Sequence, residues 1–214
     1  MNEKRGYLVG IQTLFDPDNV VWSFLLKVYS LLLAGLLWFL CSLPIITLGP
    51  ATIALYSYCF AVLDDRESYL FKSFFSTYAK SLKQGIAVTI LLLLIGAFLF
   101  IDAWFFLNTM PMLFFVVAGL GILVLFPALH LFALMSMQKS SIKDFLKLAL
   151  YLSIKHPAVT ITVLLVVTVW FLSMYALPAS LLFSAGPACM LAAMFLRSFY
   201  KHIGVYTINN YNKE

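Results

Sequence analysis

Positive charge is excluded from three long blocks of this chain, and that exclusion constrains the fold more than any other feature. All 14 Lys and Arg residues lie outside residues 28–63, 84–138 and 156–196. A hydrocarbon core about 30 Å thick is crossed by about 20 apolar residues in a helix. Each block is therefore long enough for two crossings. The sequence predicts six transmembrane helices arranged as three helical hairpins.

The overall composition also places the chain in lipid. Hydrophobic residues make up 63% of the sequence and charged residues 11%, which is too little polar surface for a soluble domain. The net charge of +5 comes from residues between the apolar segments, the positive-inside pattern rather than a nucleic-acid-binding face. We expect an all-α polytopic membrane protein in contact with the lipid bilayer, with both termini cytoplasmic and no nucleic-acid partner.

The six predicted membrane helices are residues 22–42, 50–64, 86–107, 112–137, 158–176 and 178–197. The second is short of a full crossing, so either the turn before it dips into the membrane or the helix continues into residues 64–67. Amphipathic segments precede the hairpins at residues 68–83 and 141–155, with a weaker one at 7–15. They are predicted to lie in the interface plane, as a brace on the lipid surface or as a docking site for a cytoplasmic partner.

The whole chain, 1–214, is predicted to be one membrane domain with an internal repeat in units 7–64, 68–137 and 141–203. Trp-Phe pairs occur at residues 38–39, 104–105 and 170–171, towards the outer ends of the odd-numbered helices. Pro-Ala pairs occur at residues 50–51, 127–128 and 187–188 in the even-numbered segments, with unequal spacings. Three parallel units would surround an axis along the membrane normal. They could enclose a groove or pack solidly.

Proline and glycine mark the first group of candidate functional residues. Gly49 and Pro50 open the second membrane helix, and Gly186 and Pro187 repeat the pair inside the sixth. Pro127 lies inside the fourth. These positions are either proline kinks packed against neighbouring helices or breaks whose helix N-termini hold anionic groups near the midplane.

Two ionisable residues in membrane segments form the second group. Asp102 is the one formal charge within the three blocks that lack Lys and Arg, and is therefore a functional candidate, although an interfacial position beside Trp104 would let it reach water. His130 follows Pro127 by three residues. It is either a proton-relay or ligand residue, or a neutral histidine bonded to a backbone carbonyl that the proline kink frees. Asp102 and His130 are expected in opposite halves of the membrane, not as a pair.

Motifs for catalysis and cofactor binding were not found. The chain has no His-Glu-x-x-His motif, no phosphate-binding glycine loop and no Gly-x-Ser-x-Gly elbow. Its three cysteines lack metal-ligand spacing. We therefore expect neither an enzyme, nor a cofactor, nor a metal site.

Short motifs in a fixed order connect the chain to a known family. Residues 43–51 read LPIITLGPA and residues 54–56 read ALY, followed by LKQG at 82–85 and KHP at 155–157. Together they resemble the YesL family of small membrane proteins from Gram-positive bacteria. The resemblance implies a protein of a bacterial plasma membrane and no catalytic residues. It implies a gene context beside oligosaccharide ABC importers and polysaccharide-degrading enzymes.

Two functions follow. The first is an accessory component of carbohydrate uptake that binds the permease subunits of an ABC importer. The chain lacks the Glu-Ala-Ala coupling element of such a permease, so it is not expected to be the permease itself. The second is an independent small transporter or channel whose path is lined by the proline-containing helices.

Overall fold

The computed structural model describes residues 20–66, 69–138, 140–178 and 181–204. Within these ranges the regular structure is helical, with no strand. The seven α-helices are α1 (Val20–Ser42), α2 (Leu48–Leu63), α3 (Leu70–Thr109), α4 (Pro111–Met137), α5 (Ile142–Lys155), α6 (Pro157–Ala176) and α7 (Leu181–His202). A short 3-10 turn, Ile45–Thr47, leads into α2.

Every helix except α5 is long and apolar enough to cross a membrane, if the 3-10 turn is counted with α2. The predicted set of six membrane-spanning helices is therefore confirmed. Four of the predicted ranges agree with the observed helices within two residues, α7 begins three and ends five residues later than predicted, and α3 is the exception. The 3-10 turn and α2 together cover 19 residues, and the helix ends at Leu63. The alternative in which the second helix continues into residues 64–67 is therefore excluded.

The exception is that α3 is one continuous helix of 40 residues. The prediction of a separate interfacial segment at 68–83 is wrong, because residues 70–83 continue directly into the apolar part. Nothing between them stops a helix, since Gly85 is tolerated there and no proline occurs. The first half of α3 packs along α2, where the hydroxyls of Ser57 and Thr77 lie 3.3 Å apart.

By contrast, α5 is a separate amphipathic helix, as predicted for 141–155. It begins after Ser141, whose backbone is extended, and ends before Pro157, which disfavours helical backbone in the preceding residue. Its buried side chains include Phe145, Ala149 and Leu152, which belong to the main hydrophobic cluster. The other amphipathic prediction, at 7–15, lies outside the described residues.

At the centre of the bundle, α2 is covered on most of its surface. It packs against α1, α3, α4 and α7, and fully buried side chains such as Ile53, Cys59 and Phe60 point in different directions around its axis. The most extensive helix contacts are those of α2 with α3 and of α1 with α7. The first and last helices of the described chain are therefore neighbours.

Much less of the protein covers the ends of α3 and α4 that meet at Met110. In α3 the buried residues all lie between Phe74 and Thr89, and in α4 all but Val117 lie from Pro127 onwards. Large apolar side chains between these stretches are exposed, among them Phe98, Phe100 and Phe115. These two half-helices present apolar surface on several sides, as expected for helices surrounded by lipid.

Candidate functional site

The predicted Gly49–Pro50 site is a close contact between α2 and α3. A Cβ on Gly49 would overlap Oγ1 of Thr89 and lie 2.7 Å from the carbonyl oxygen of Gly85. The reciprocal Cβ on Gly85 would lie 2.8 Å from the ring of Pro50. Small residues let membrane helices approach to backbone contact, where van der Waals packing holds them together. The pair therefore allows α2 to dock on α3.

The turn before this contact is closed by a side chain. The hydroxyl of Thr47 lies 2.6 Å from the carbonyl oxygen of Cys41 and 2.7 Å from that of Pro44. Pro50 falls in the first turn of α2, where its missing N–H has no helical partner to lose. The helix begins two residues earlier than predicted because the 3-10 turn runs directly into it.

Gly186 makes the corresponding contact between α7 and α1. A Cβ there would overlap the carbonyl oxygen of Leu31 and lie 3.1 Å from the nitrogen of Gly35. Both α7 at Pro187 and α4 at Pro127 continue through their prolines as helix. The broken-helix alternative is therefore wrong for these two positions, and packing against neighbours is what the structure shows.

His130 lies at the centre of a buried polar cluster, the His130 cluster, formed with Tyr200 and Thr160. Its Nδ1 is 2.9 Å from the Tyr200 hydroxyl and its Nε2 is 2.9 Å from Oγ1 of Thr160. All three residues are fully buried, and they connect α4, α7 and α6. The expected backbone carbonyl partner is wrong, because two side-chain hydroxyls satisfy the ring instead.

One arrangement of protons satisfies every group in the His130 cluster. Tyr200 donates to Nδ1, the Nε2–H donates to Thr160, and the Thr160 hydroxyl donates to the carbonyl of His156 at 3.5 Å. A neutral imidazole thus fits with no unpaired nitrogen. Since partial satisfaction of a buried network is costly, the cluster fixes how the three helices pack.

Asp102 lies apart from that cluster. It is half-buried in the exposed half of α3, next to Trp104, which is 65% exposed. The polar partners of His130 are the two hydroxyls, so the structure does not bring Asp102 and His130 together as hydrogen-bond partners. The expectation that they do not form a direct pair agrees with this geometry.

The most strongly charged group of the described protein was missed by sequence reasoning. The Asp64 carboxylate, 2% exposed, lies 3.1 Å from a guanidinium nitrogen of Arg66 and 2.6 Å from one of Arg197. Asp64 caps the C-terminus of α2, where the helix dipole disfavours a negative charge, so the two arginines offset both the dipole and the burial. The available signal was that Asp64 and Arg197 each directly follow an apolar block.

The next residue, Asp65, completes the end of α2. It has a positive φ of 49°, and the N–H groups of Asp65 and Arg66 donate to the carbonyls of Val62 and Ala61. This is the Schellman arrangement, usually made with glycine. Lys27 donates to the exposed carboxylate at 2.9 Å, and this hydrogen bond lowers the pKa of Asp65 below its ordinary value.

In two of the three Trp-Phe pairs the tryptophan turns inward. Trp38 in α1 donates to Thr52 in α2, and Trp170 in α6 donates to Ser184 in α7, each fourteen residues further along the chain. The two indoles meet edge to face, 5.7 Å apart. Trp104 has Ala118 at the same spacing, which has no hydroxyl to accept the bond, and its ring is exposed.

None of the described residues form a group of His, Cys, Asp or Glu suited to a metal ion. With six apolar helices of membrane-spanning length and apolar side chains on the outside, the protein is a multi-pass helical membrane protein. Residues 31–103 match the family model described as "Protein of unknown function, DUF624". The YesL family contains DUF624, so the match over this part of the chain confirms the resemblance. Neither the curated proteins nor the solved structures contain a match to this chain.

The matched stretch contains most of α1, all of α2 and most of α3. It therefore includes both sides of the Gly49–Gly85 contact. The His130 cluster and Arg197 lie beyond it.

Proposed function

We propose that the protein is a non-catalytic membrane partner of a carbohydrate importer of the ABC class, which it contacts through lipid-facing helix surfaces. The observation that carries a binding role is the filled centre of the bundle. In the α2 span 61% of the residues are buried, against at most 28% in any other span. Since α2 occupies the place where a central path would run, outer surfaces are what the arrangement offers to a ligand.

The class of partner comes from the resemblance to the YesL family. The genes of its members commonly lie beside genes for oligosaccharide ABC importers, and the family implies no catalytic residues of its own. A component that binds without chemistry fits a chain whose polar clusters join its own helices, as the His130 cluster does. The absence of a catalytic role is part of this proposal.

The proposal includes three helical hairpins with all their basic ends on the cytoplasmic side. In its support, Lys27 pairs with Asp65, while Arg66 and Arg197 pair with Asp64, all at one end of α1, α2 and α7. The turn Ile45–Thr47 at the opposite end of α1 and α2 is uncharged. The excess of cations at one end follows the positive-inside rule.

A threefold internal repeat is part of the same proposal. The two inward hydrogen bonds, from Trp38 to Thr52 and from Trp170 to Ser184, are separated by equal intervals. The pairing of α7 with α1 corresponds to that of α2 with α3 in a closed ring, and each has a glycine contact. The middle unit differs at Trp104, and its helices are the least covered.

This least covered region, residues 90–126 of α3 and α4, is the proposed contact surface for the importer. Leu94 and Phe98 are each 65% exposed on it. Leu165 and Val169 on α6, at 60% and 65% exposure, provide a matched surface outside the proposed contact.

The test is co-purification in mild detergent with the permease subunits encoded beside the gene. A photo-crosslinking residue at Leu94 or Phe98 is expected to capture a permease, and one at Leu165 or Val169 is not. Recovery of this protein alone, under conditions that keep the permease pair intact, would reject the proposal. Equal crosslinking from both surfaces would reject the chosen contact.

The transporter alternative makes a different prediction. Reconstituted alone, the protein would move a sugar or ion across a vesicle membrane, and Asp102→Asn or His130→Ala would change the rate. Flux by the purified protein would replace the binding proposal. Cysteine labelling would test the orientation separately. A cysteine at Thr47 or Asp102 should be labelled from outside the cell, and one at Lys72 or Lys147 from inside.

A further inference from the structure

An apolar groove of about 310 Å³ opens where α4 meets the junction of α5 and α6. It is lined by Gly119, Phe126 and Pro127 of α4, by Leu150 and Ile154 of α5, and by Pro157 at the start of α6. At about 30 Å³ for a water-sized group, its volume is that of roughly ten such groups. That suits part of a lipid acyl chain.

The sequence explains why this interface is open. In α2 and α7 the Pro-Ala pair is preceded by Gly49 and Gly186, and both glycines bring their helix into backbone contact with a neighbour. In α4 the pair is preceded by Phe126. A phenylalanine prevents the same close approach, so the third interface holds a groove where the other two are closed.

Two exposed lysines of α5, Lys147 and Lys155, flank its groove-lining residues Leu150 and Ile154 along the chain. Lys147 precedes Leu150 by three residues and Ile154 by seven, so the three share one face of α5. Lys147 is exposed, and Lys155 directly follows Ile154 and is exposed too. Lys155 donates one of its three N–H groups to the Tyr151 hydroxyl, which leaves two for a further acceptor.

A second apolar groove, without nearby lysines in its two helices, allows the effect of apolar lining to be tested separately from that of charge. It lies between α3 and α4, has a volume of about 430 Å³, and is lined by residues such as Gly96 and Gly121. Its helices carry no Lys or Arg between residues 84 and 138. Both grooves are apolar, but the one at α5 is the one with cations at its edge.

We infer that the groove at the α4–α5–α6 junction binds an anionic phospholipid, with an acyl chain against Gly119 and Phe126 and the phosphate at Lys147 and Lys155. The ammonium groups attract the anionic headgroup, and the apolar lining takes the chain. This inference does not depend on the importer proposal, because it concerns lipid bound by the protein alone.

The test is native mass spectrometry of the delipidated full chain titrated with phosphatidylglycerol or phosphatidylcholine. A first, tightest adduct is expected with phosphatidylglycerol. Replacing Lys147 and Lys155 by Gln should weaken that adduct by roughly fivefold per lysine, or about 25-fold together. The matched control, Lys72→Gln with Lys80→Gln on α3, removes the same charge from exposed positions away from the groove and should change the affinity by less than about twofold.

A second pair of variants tests the groove itself. Gly119 and Gly96 both have open space where a Cβ would go. Gly119→Phe should therefore fill the groove at the α4–α5–α6 junction, and Gly96→Phe the groove between α3 and α4. Loss of the phosphatidylglycerol adduct with Gly119→Phe but not with Gly96→Phe supports the inference. Equal affinity for the two lipids, or equal effects within either matched pair, overturns it. Circular dichroism and gel filtration would identify a variant that fails to fold, and the lysine pair then decides.

Discussion

Adding one methyl group at Gly186 should have the opposite effect on stability from adding the same group at Gly119. At Gly186 the new Cβ would overlap the carbonyl oxygen of Leu31, with the carbonyl carbon at 2.8 Å. These are backbone atoms of α1, which cannot move aside as a flexible side chain could. At Gly119 nothing lies within 4 Å of the added atom.

The expected magnitudes follow from two competing effects. In a helix Ala is more favourable than Gly by about 1 kcal/mol. Forcing α1 and α7 apart costs about 3 kcal/mol, the upper part of the usual range for overpacking. Gly186→Ala should therefore lose about 2 kcal/mol of unfolding free energy, and Gly119→Ala should gain up to about 1 kcal/mol. For a chain of this size these correspond to a Tm about 4–8 °C lower and about 2–4 °C higher.

Thermal unfolding in detergent, followed by intrinsic tryptophan fluorescence, provides the measurement. Trp38 and Trp170 lie next to the α1–α7 contact and report on its loss. Unchanged or raised Tm for Gly186→Ala would refute the close packing of α1 on α7. A Tm lowered equally by both variants would show that the effect is general for glycine in these helices.

Three further outcomes can be measured in the same way. Arg197→Met should destabilise the protein by about 3 kcal/mol, because it leaves the charge of the buried Asp64 with less compensation. This value is at the low end for a broken buried ion pair, since the arginine side chain is 26% exposed. Stability equal to wild type would contradict the prediction. Thr160→Val, close in shape, should cost about 1–3 kcal/mol by leaving one ring nitrogen of His130 without its partner, and a neutral result would mean that the hydrogen bond is not formed. Because the pKa of Asp65 is lowered in the folded protein, its stabilising contribution is present at neutral pH and is lost as the pH falls below about 4. Asp65→Asn should remove that part of the dependence of Tm on acidic pH. An unchanged fall of Tm at acidic pH would refute the stabilising role of the Asp65 carboxylate.

The boundary that sequence reasoning placed at residue 83 shows what charge can and cannot predict. Lysines on residues 72–83 mark where the chain leaves the apolar region. They do not stop a helix, since Lys is a good helix former. The six apolar spans were therefore predictable, and the continuity of α3 was not. At Pro157, by contrast, a true helix breaker let the sequence locate the end of α5.

The His130 cluster was unpredictable for a different reason. Thr160 is 30 residues from His130, and Tyr200 is 70 residues away, so no local pattern connects them. The nearby Pro127 instead suggested a freed backbone carbonyl as the partner. The Asp64 group was equally hidden, because its arginine partner Arg197 lies on the last described helix. Glycine positions were more informative, since Gly49 and Gly186 both lie at close contacts, although their helices are not broken.

The uninterrupted length of α3 has a mechanical consequence. Its 40 residues span about 60 Å, roughly twice the thickness of a hydrocarbon core. A rod of that length acts as a lever, and a tilt of about 5° shifts one end by about 5 Å relative to the other. A displacement of the lipid-exposed end near Thr109 would therefore move the other end of α3, beside α2, without any change of secondary structure.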